Sequence, residues 1–392
     1  MRFSLLAFVL LTASSPAFAQ DAWTLTTADL KTDAVSLKSF DTGKGLTVAP
    51  QAGGEERQVG IDRFVDLARP VTAVKPTGKY DLHLVGGGHL NGDPAGMKGE
   101  SVVWKTAAAG DVTVPLTRIA GLARAGERFV GERRRDDVAV FTNGDMVRGT
   151  LMDLTPEQIT IRTDAGNAPV PFQSLARVIL ASTVQPSGQN LKPTFRVQLD
   201  DGSVLTATAA KTEGGQLVAT IGGASKQIDL ARVGGIEQVN GPVAFLSTRQ
   251  PAVNTYTPYL GSDQRFIARM NSDFDGNPIR FRDRVYPRAI ATHSYSRLSW
   301  PLDGSYAAFR TRYALDPKAA GGQGGDVTVR ILLDDKVVHE KANVRAGQLS
   351  DPVVVDLANA KELTLEVDYG QMIDSNDRLN WLEPALLKFK PE

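Results

Sequence analysis

Cysteine is absent from the 392-residue chain. That excludes disulfide staples, thiolate metal sites, cysteine nucleophiles and anchorage through a lipidated cysteine. Histidine is scarce, at four residues, too few to expect a multi-histidine metal centre. Charge of one sign is also missing. Forty-four Lys and Arg balance 44 Asp and Glu, so the electrostatic footprint of a nucleic-acid binder is lacking. Aromatic residues make up 7%, sparse for stacking bases. After the first residues no segment approaches the roughly eighteen consecutive apolar residues of a membrane helix.

What is present is ordinary globular composition, 42% hydrophobic and 22% charged, which argues against disorder. At ~150 residues per domain the length allows two or three domains, enough to bury several cores without staples. The first residues set the compartment. Arg2 supplies a positive charge, an apolar run follows from Leu5 to Leu11, and Ala17-Phe18-Ala19 ends the segment. That is the layout of a secretory signal peptide over 1–19. It is far shorter than the ~20 residues that cross a bilayer. An exported protein beginning near Gln20 is expected, periplasmic or at the cell surface, with no membrane insertion once the leader is removed.

The rest reads as β-structure. Val327, Val329, Ile331 and Leu333 alternate with Thr328, Arg330 and Leu332; Leu363, Leu365 and Val367 alternate with Glu362, Thr364, Glu366 and Asp368. Such period-two runs want one face on a core and the other in water. The 37 Gly and 21 Pro punctuate them, with turn pairs such as Asn143-Gly144 and Asp303-Gly304.

An internal repeat organises residues 20 to about 240. Each copy has a strand, a Gly-containing turn, a second strand, a further hairpin and a closing apolar stretch. Leu116, Phe172 and Leu230 occupy equivalent places 56 and 58 residues apart, and Ile61, 55 before Leu116, marks a degenerate first copy. Fixed-period self-similarity signals an array of supersecondary units. Each unit is similar in pattern to small SH3-like or Sm-like barrels, which elsewhere bind peptides or RNA; RNA is disfavoured here by the export signal and neutral charge, and the units read as spacers or protein-contact modules. The sequence leaves open whether they are strung as beads or packed as one sheet array. The other motifs here read as structure. The stretch Gly86-Gly87-Gly88-His89 lacks the strand–loop–helix context of a phosphate loop. His83 and His89 have no third ligand, and Arg133-Arg134-Arg135-Asp136-Asp137 nearly cancels in charge. Asp200-Asp201 and Asp334-Asp335 abut turn signals, and neighbours on a strand point to opposite faces.

The C-terminal third carries one specific pattern. It runs from Tyr286-Pro287-Arg288-Ala289-Ile290-Ala291-Thr292-His293-Ser294 through Leu302-Asp303-Gly304-Ser305-Tyr306-Ala307-Ala308-Phe309, then Asp326 to Leu333, Val353 to Leu357 and Leu363 to Val367. It closes on Asp377-Arg378-Leu379-Asn380-Trp381-Leu382-Glu383-Pro384. From about Phe245 to Phe389 the chain thereby resembles the NPCBM family of carbohydrate-binding modules, β-sandwiches of the galactose-binding jelly-roll type. Ala289 and Ala291 stand where the family has glycines, so a positive-φ turn there would have to be remade or strained.

The expected architecture is therefore all-β: tandem small β-barrel-like repeat units and then a jelly-roll β-sandwich. Its divisions are 1–19 (leader), 20–130 (a degenerate copy plus one full unit), 131–185, 186–243 and 244–392. A shallow sugar site needs an aromatic face and fixed donors and acceptors. The resemblance implies as candidates His293, Tyr295, Arg297, Trp300, Asp377, Asn380 and Trp381. Tyr295 and Arg297 share a strand face and Trp300 takes the opposite one, so not all can line one pocket. Core packing is the alternative for Trp300 and Trp381, and a buried hydrogen-bonding role for His293. Asp377 either braces the final loop or helps hold a structural Ca²⁺; no other cofactor is expected. Arg280, Arg282, Arg284, Arg288 and Arg297 against Asp283 form a basic stretch that suits anionic glycans or else a solvated face.

Three readings compete. One is an exported, non-catalytic glycan-binding protein with the repeats as spacer or docking modules. The second is an envelope assembly protein that binds protein partners. The third is an accessory piece or remnant of a glycoside hydrolase, against which stands the lack of an acidic pair with evident roles.

Overall fold

The computed structural model describes residues 22–390 apart from 86–87, 128, 130–134, 182–191, 283, 317–324 and 372. The leader read over 1–19 lies outside the described residues, as do Gly86-Gly87, Arg133-Arg134 and Asp283. The protein is all-β, and the helical pieces among the described residues are four single turns of 3₁₀ helix. Among the described residues no helix is long and apolar enough to cross a membrane.

The repeat is physical. Each of four N-terminal units has a first strand that pairs antiparallel with its last: Ala22–Thr27 with Phe64–Ala68, Tyr80–Leu84 with Ile119–Arg124, Asp137–Phe141 with Leu175–Ile179, and Thr194–Leu199 with Val233–Val239. The equivalent residues Leu116, Phe172 and Leu230 each open a one-turn 3₁₀ helix, and their carbonyls accept the N–H of Ile119, Leu175 and Val233. Ile61 does the same for Phe64 N–H at 3.4 Å, so the degenerate copy keeps the closing turn.

The units are not beads. The last strand of the second unit pairs with the last strand of the third, and the last strand of the first unit pairs with that of the fourth. Two continuous sheets result, of ten and eleven strands. This join removes four sheet edges that would otherwise offer unpaired N–H and C=O groups. Trp23, Phe40, Phe64, Trp104, Phe172 and Phe195 belong to one apolar cluster that runs through all four units.

Residues from 243 onward form two further antiparallel sheets face to face. In order across the first lie Arg269–Met270, Ala289–His293, Arg378–Leu387, Ala308–Leu315 and Val353–Asp356, with Val243–Phe245 also paired to Arg378–Leu387. The second runs Val253–Tyr256, Ser296–Pro301, Glu362–Tyr369, Asp326–Leu333 and Lys336–Arg345. The alternation seen in the sequence places Val327, Val329, Ile331, Leu363, Leu365 and Val367 inside with Phe309, Trp300 and Trp381. At ~25 cal/mol per Å² such burial is the main stabilising term. Asp334 and Asp335 take φ of 48° and 64° and make the tight turn that joins the last two strands of the second sheet. Ala289 and Ala291 lie within an extended strand and pack in an apolar cluster with Ile279, Phe281 and Tyr286. No positive-φ turn is needed there, so Ala in place of glycine is unstrained.

The sandwich sits directly on the N-terminal block. Ala28 and Val65 of the first unit pack with Val243, Phe245, Ala308, Ala385 and Leu387. Arg288 Nη1 lies 2.5 Å from Glu237 Oε1 across this junction.

Candidate functional site

Strand parity decides where the candidates go. On Ser296–Pro301 the side chains of Leu298 and Trp300 face the core, and Arg297 faces out. Trp300 is 2% exposed and donates its Nε1–H to the Arg249 carbonyl at 3.1 Å. Trp381 is fully buried, edge-on to Tyr313 with centroids 5.9 Å apart. Both tryptophans therefore take the core alternative, and neither offers a face to a sugar. Asn380, buried on the opposite side of its sheet, is in register with Ala291 and Ala314, away from the other candidates.

His293, Ser294 and Asp377 do meet, and the geometry is structural. The buried His293 ring stacks on Phe266 at 4.3 Å, and its Nδ1 lies 3.0 Å from the Ser294 carbonyl. Burial pushes its pKa below the ordinary histidine value. Ser294 Oγ donates to Asp377 Oδ2 at 2.5 Å, and Asp326 N–H donates to Asp377 Oδ1 at 3.0 Å. The serine hydroxyl is thus given to the acid while the imidazole binds a carbonyl, which is not a nucleophile–base couple. Burial raises Asp377 to about 7, so much of it is protonated near neutrality.

The calcium ion that the resemblance allows does not fit the donors described. Ca²⁺ takes six to eight oxygens, and both oxygens of Asp377 are already engaged. Asp326 beside it is buried, with no hydrogen bond to either carboxylate oxygen among the described residues, and Arg345 Nη2 lies 3.8 Å away. Among the described residues no group of three or more His, Cys, Asp or Glu is disposed to hold a metal.

Tyr295 and Arg297 lead to a different place, the outer face of the second sheet and the rim of loops at its end. Tyr295 Oη donates to Glu366 Oε2 at 2.9 Å. Glu366 and Asp368 also accept from Arg330 Nη1, at 2.9 and 2.8 Å, and Arg330 Nε reaches Glu340 at 2.6 Å. Arg297 pairs with Asp335 and approaches Glu366 at 3.7 Å. Two guanidiniums thus bridge four carboxylates on this face. At the rim, Tyr295, Tyr369 and Tyr259 form a ladder. Ring centroids are 6.2 Å apart in the first pair and 5.4 Å in the second, which is edge to face. Tyr369 Oη donates to the Thr257 carbonyl at 2.6 Å, and Tyr259 N–H donates to Asp374 Oδ2 at 3.1 Å. These two bonds pin the loop that presents Tyr259, which is 51% exposed. Phe266, edge-on to Tyr256 with centroids 6.1 Å apart, stacks on His293 and lies under the guanidiniums of Arg265 and Arg378, at 5.7 and 5.4 Å.

The rim offers an aromatic face and carboxylates fixed by hydrogen bonds and ion pairs. That arrangement suits a neutral ligand with one apolar face and several hydroxyls. The sequence pattern missed Tyr259, Tyr369, Phe266 and Asp374. The available signal was Tyr256-Thr257-Pro258-Tyr259-Leu260, an aromatic pair around a proline at the end of a strand.

A two-layer antiparallel sandwich with a polar–aromatic rim on its end loops is the class that fold and site define. Residues 252–387, the C-terminal sandwich, match the family model described as the NPCBM/NEW2 domain. No curated protein matches this chain. Among solved structures, the chain is similar to the CBM51 module of Clostridium perfringens GH95 in complex with methyl-galactose, at 21% identity over 37% of this chain and 99% of that one, TM-score 0.32. It is also similar to the CBM51-2 and INT domains of C. perfringens ZmpB, at 22% identity over 46% of this chain, TM-score 0.34, and spans 37% of that chain. A third is the M60 catalytic domain of ZmpB with its two CBM51 domains, at 12% identity over 93% of this chain and 51% of that one, TM-score 0.33.

Proposed function

We propose that the protein is an exported, non-catalytic glycan-binding protein whose NPCBM/NEW2 domain holds a neutral sugar against the rim at Tyr259. The four-unit N-terminal block serves as its rigid base. The observation that carries this reading is the half-exposed Tyr259 ring, held by Asp374 and Tyr369 beside fixed acceptors on a domain of that family. A pyranose stacks its apolar face on such a ring while carboxylates and hydroxyls take its polar edge. The test is affinity electrophoresis of the full chain through gels containing a panel of neutral and acidic polysaccharides. Retention by at least one of them, abolished in Tyr259→Ala, is expected. Retention unchanged in Tyr259→Ala would remove the rim from the proposal.

One observation favours the second reading, an assembly protein of the envelope. Lys336–Arg345 is an edge strand with Val337 and Val338 exposed, open to pairing with a partner strand. Lys336, Glu340 and Lys341 lie along it, and charges of this kind guard natural edges against such pairing. Absence of retention by every polysaccharide, with capture of one protein partner that a Val338→Lys variant no longer captures, would establish the assembly reading instead.

A further inference from the structure

The segment Leu302-Asp303-Gly304-Ser305-Tyr306 is used neither by the rim nor by the sheet pairing. It forms the turn at the far end of Ser296–Pro301, seven residues from Tyr295 and therefore about 20 Å from the rim at ~3.3 Å per strand residue. There it faces the turn that joins Val353–Asp356 to Glu362–Tyr369, and the two turns flank an open cavity of about 310 Å³. That volume is at the small end of the ~300–1,000 Å³ of ligand pockets, room for one sugar ring and not for an oligosaccharide.

The lining has the two halves that sugar recognition needs. Leu302, Ala307, Leu357 and Ala360 give an apolar floor. Tyr306, Asp303, Asp356, Asn359 and Lys390 give polar groups around it. Four of these, Tyr306, Asp303, Asp356 and Lys390, are fixed by partners. Arg249 lies over one face of the Tyr306 ring at 5.2 Å and donates to its hydroxyl oxygen at 2.8 Å. The phenol proton has no acceptor among the described residues and is left to donate. Asp303 Oδ1 accepts Ser305 N–H at 2.9 Å, and Asp356 Oδ1 accepts Ala358 N–H at 3.1 Å while Oδ2 meets Lys390 Nζ at 2.5 Å. Burial acts against the Asp303 charge, but its bonds to Ser305 and the nearby Arg249 outweigh it and hold the carboxyl below its usual range. The Asp303 carboxyl is therefore an ionised acceptor at neutral pH. Two carboxylates are matched by Lys390 and Arg249, so the cavity carries no net charge and favours a neutral polyol over an ionic ligand.

We propose that this cavity is a second, single-sugar site, so that the sandwich binds one neutral pyranose at each end. The ligand class rests on the glycan-binding reading above; the location does not rest on the rim.

The test is saturation-transfer NMR and titration calorimetry on the full chain, with methyl hexopyranosides and N-acetylhexosamines as the probes. Two equivalents are expected for the natural chain and one for Ala358→Trp, whose indole fills the cavity from an exposed position. Tyr259→Ala should also leave one equivalent, and the double variant none. Asp303→Asn keeps the Ser305 bond but weakens the acceptor, and should lower the affinity of the second site about tenfold while the urea midpoint stays unchanged. An unaltered stoichiometry in Ala358→Trp overturns the second site and leaves the rim standing. Loss of all binding in Ala358→Trp with none in Tyr259→Ala overturns the rim and leaves the second site. No binding of any probe to the natural chain refutes both.

Discussion

Asp377 makes the sandwich sensitive to pH in a direction that can be worked from its surroundings. It is fully buried, and burial raises its pKa from 3.8 to about 7, opposed by its bonds from Ser294 and Asp326 and assisted by the charges of Asp374 and Asp326. In the unfolded chain the carboxyl ionises near 3.8; in the native state it does so only near 7. Below 3.8 both states hold the proton and the group costs nothing. As pH rises through this window the unfolded state loses its proton first, so native stability falls, and the loss is complete above about 7. A span of about three pH units at 1.36 kcal/mol each gives a loss on the order of 4 kcal/mol.

Asp377→Asn removes the titration and keeps the shape. Its amide oxygen still accepts Asp326 N–H, and its amide nitrogen can donate to Ser294 Oγ. The assay is urea unfolding of both proteins from pH 4 to 8, followed by fluorescence and compared as a difference, so that groups titrating in both proteins cancel. The stability of the variant relative to the natural chain should climb by on the order of 4 kcal/mol across that range. A difference that is flat with pH would refute the reasoning, since it would mean that Asp377 is ionised throughout. So would a variant that is the weaker of the two at pH 8.

Further outcomes follow from the same geometry. Trp381→Ala empties the centre of the sandwich core and should cost about 3–5 kcal/mol in thermal or urea unfolding. Tyr259→Ala, at the exposed rim, should stay within about 0.5 kcal/mol of the natural chain. Gly370→Ala places a Cβ 1.8 Å from the Asp326 carbonyl oxygen and should cost at least about 1–3 kcal/mol by the same measurement. Arg288→Ala strands the buried Glu237 and should loosen the junction by about 3 kcal/mol, read as proteolysis between residues 240 and 252. Burial raises the neighbouring Asp66 to about 6, and Arg288 opposes that rise, so the Arg288→Ala defect should be larger at pH 8 than at pH 5. Glycan retention should change little between low and high salt, because the arginines of the outer face are already spent on Glu366, Asp368, Glu340 and Asp335; a steep fall with salt would show that ionic contacts hold the ligand.

Much of this architecture is written in short-range patterns, and those parts were legible. The period-two runs gave the strands of the sandwich, and parity put Trp300 and Arg297 on opposite faces, of which the structure turns Trp300 inward. The spacing of Ile61, Leu116, Phe172 and Leu230 gave the repeat, because each residue fills the same closing turn. What the sequence could not supply is pairing at long range. Nothing local says that Leu67 lies opposite Ile236, since any apolar last strand makes a suitable partner for any other. The rim was missed for a related reason. Tyr259, Asp374 and Tyr369 come from two loops and a strand end, and loops carry no periodicity to place their side chains. The family pattern pointed instead to His293, Asp377, Asn380 and Trp381, all of which are buried within the sandwich.

The pairing of the first and fourth units bears on what the repeats do. A string of units joined by linkers would let the sandwich swing, with each unit adding reach. Here the first unit is bonded through Phe64–Ala68 to the strand Val233–Val239, and the chain enters the sandwich only four residues later at Val243. Ala28 and Val65 of the first unit then pack on Val243, Phe245 and Leu387. The link into the sandwich is thus short, and both the beginning and the end of the block hold it. Such a junction, apolar at its centre and closed by the buried Arg288–Glu237 pair, resists hinge motion. The rim loops stand at the other end of the sandwich strands from Val243. A ligand held there is presented outward on a stiff base, and the four units act as one platform whose removal piecemeal would expose the edges that their pairing now covers.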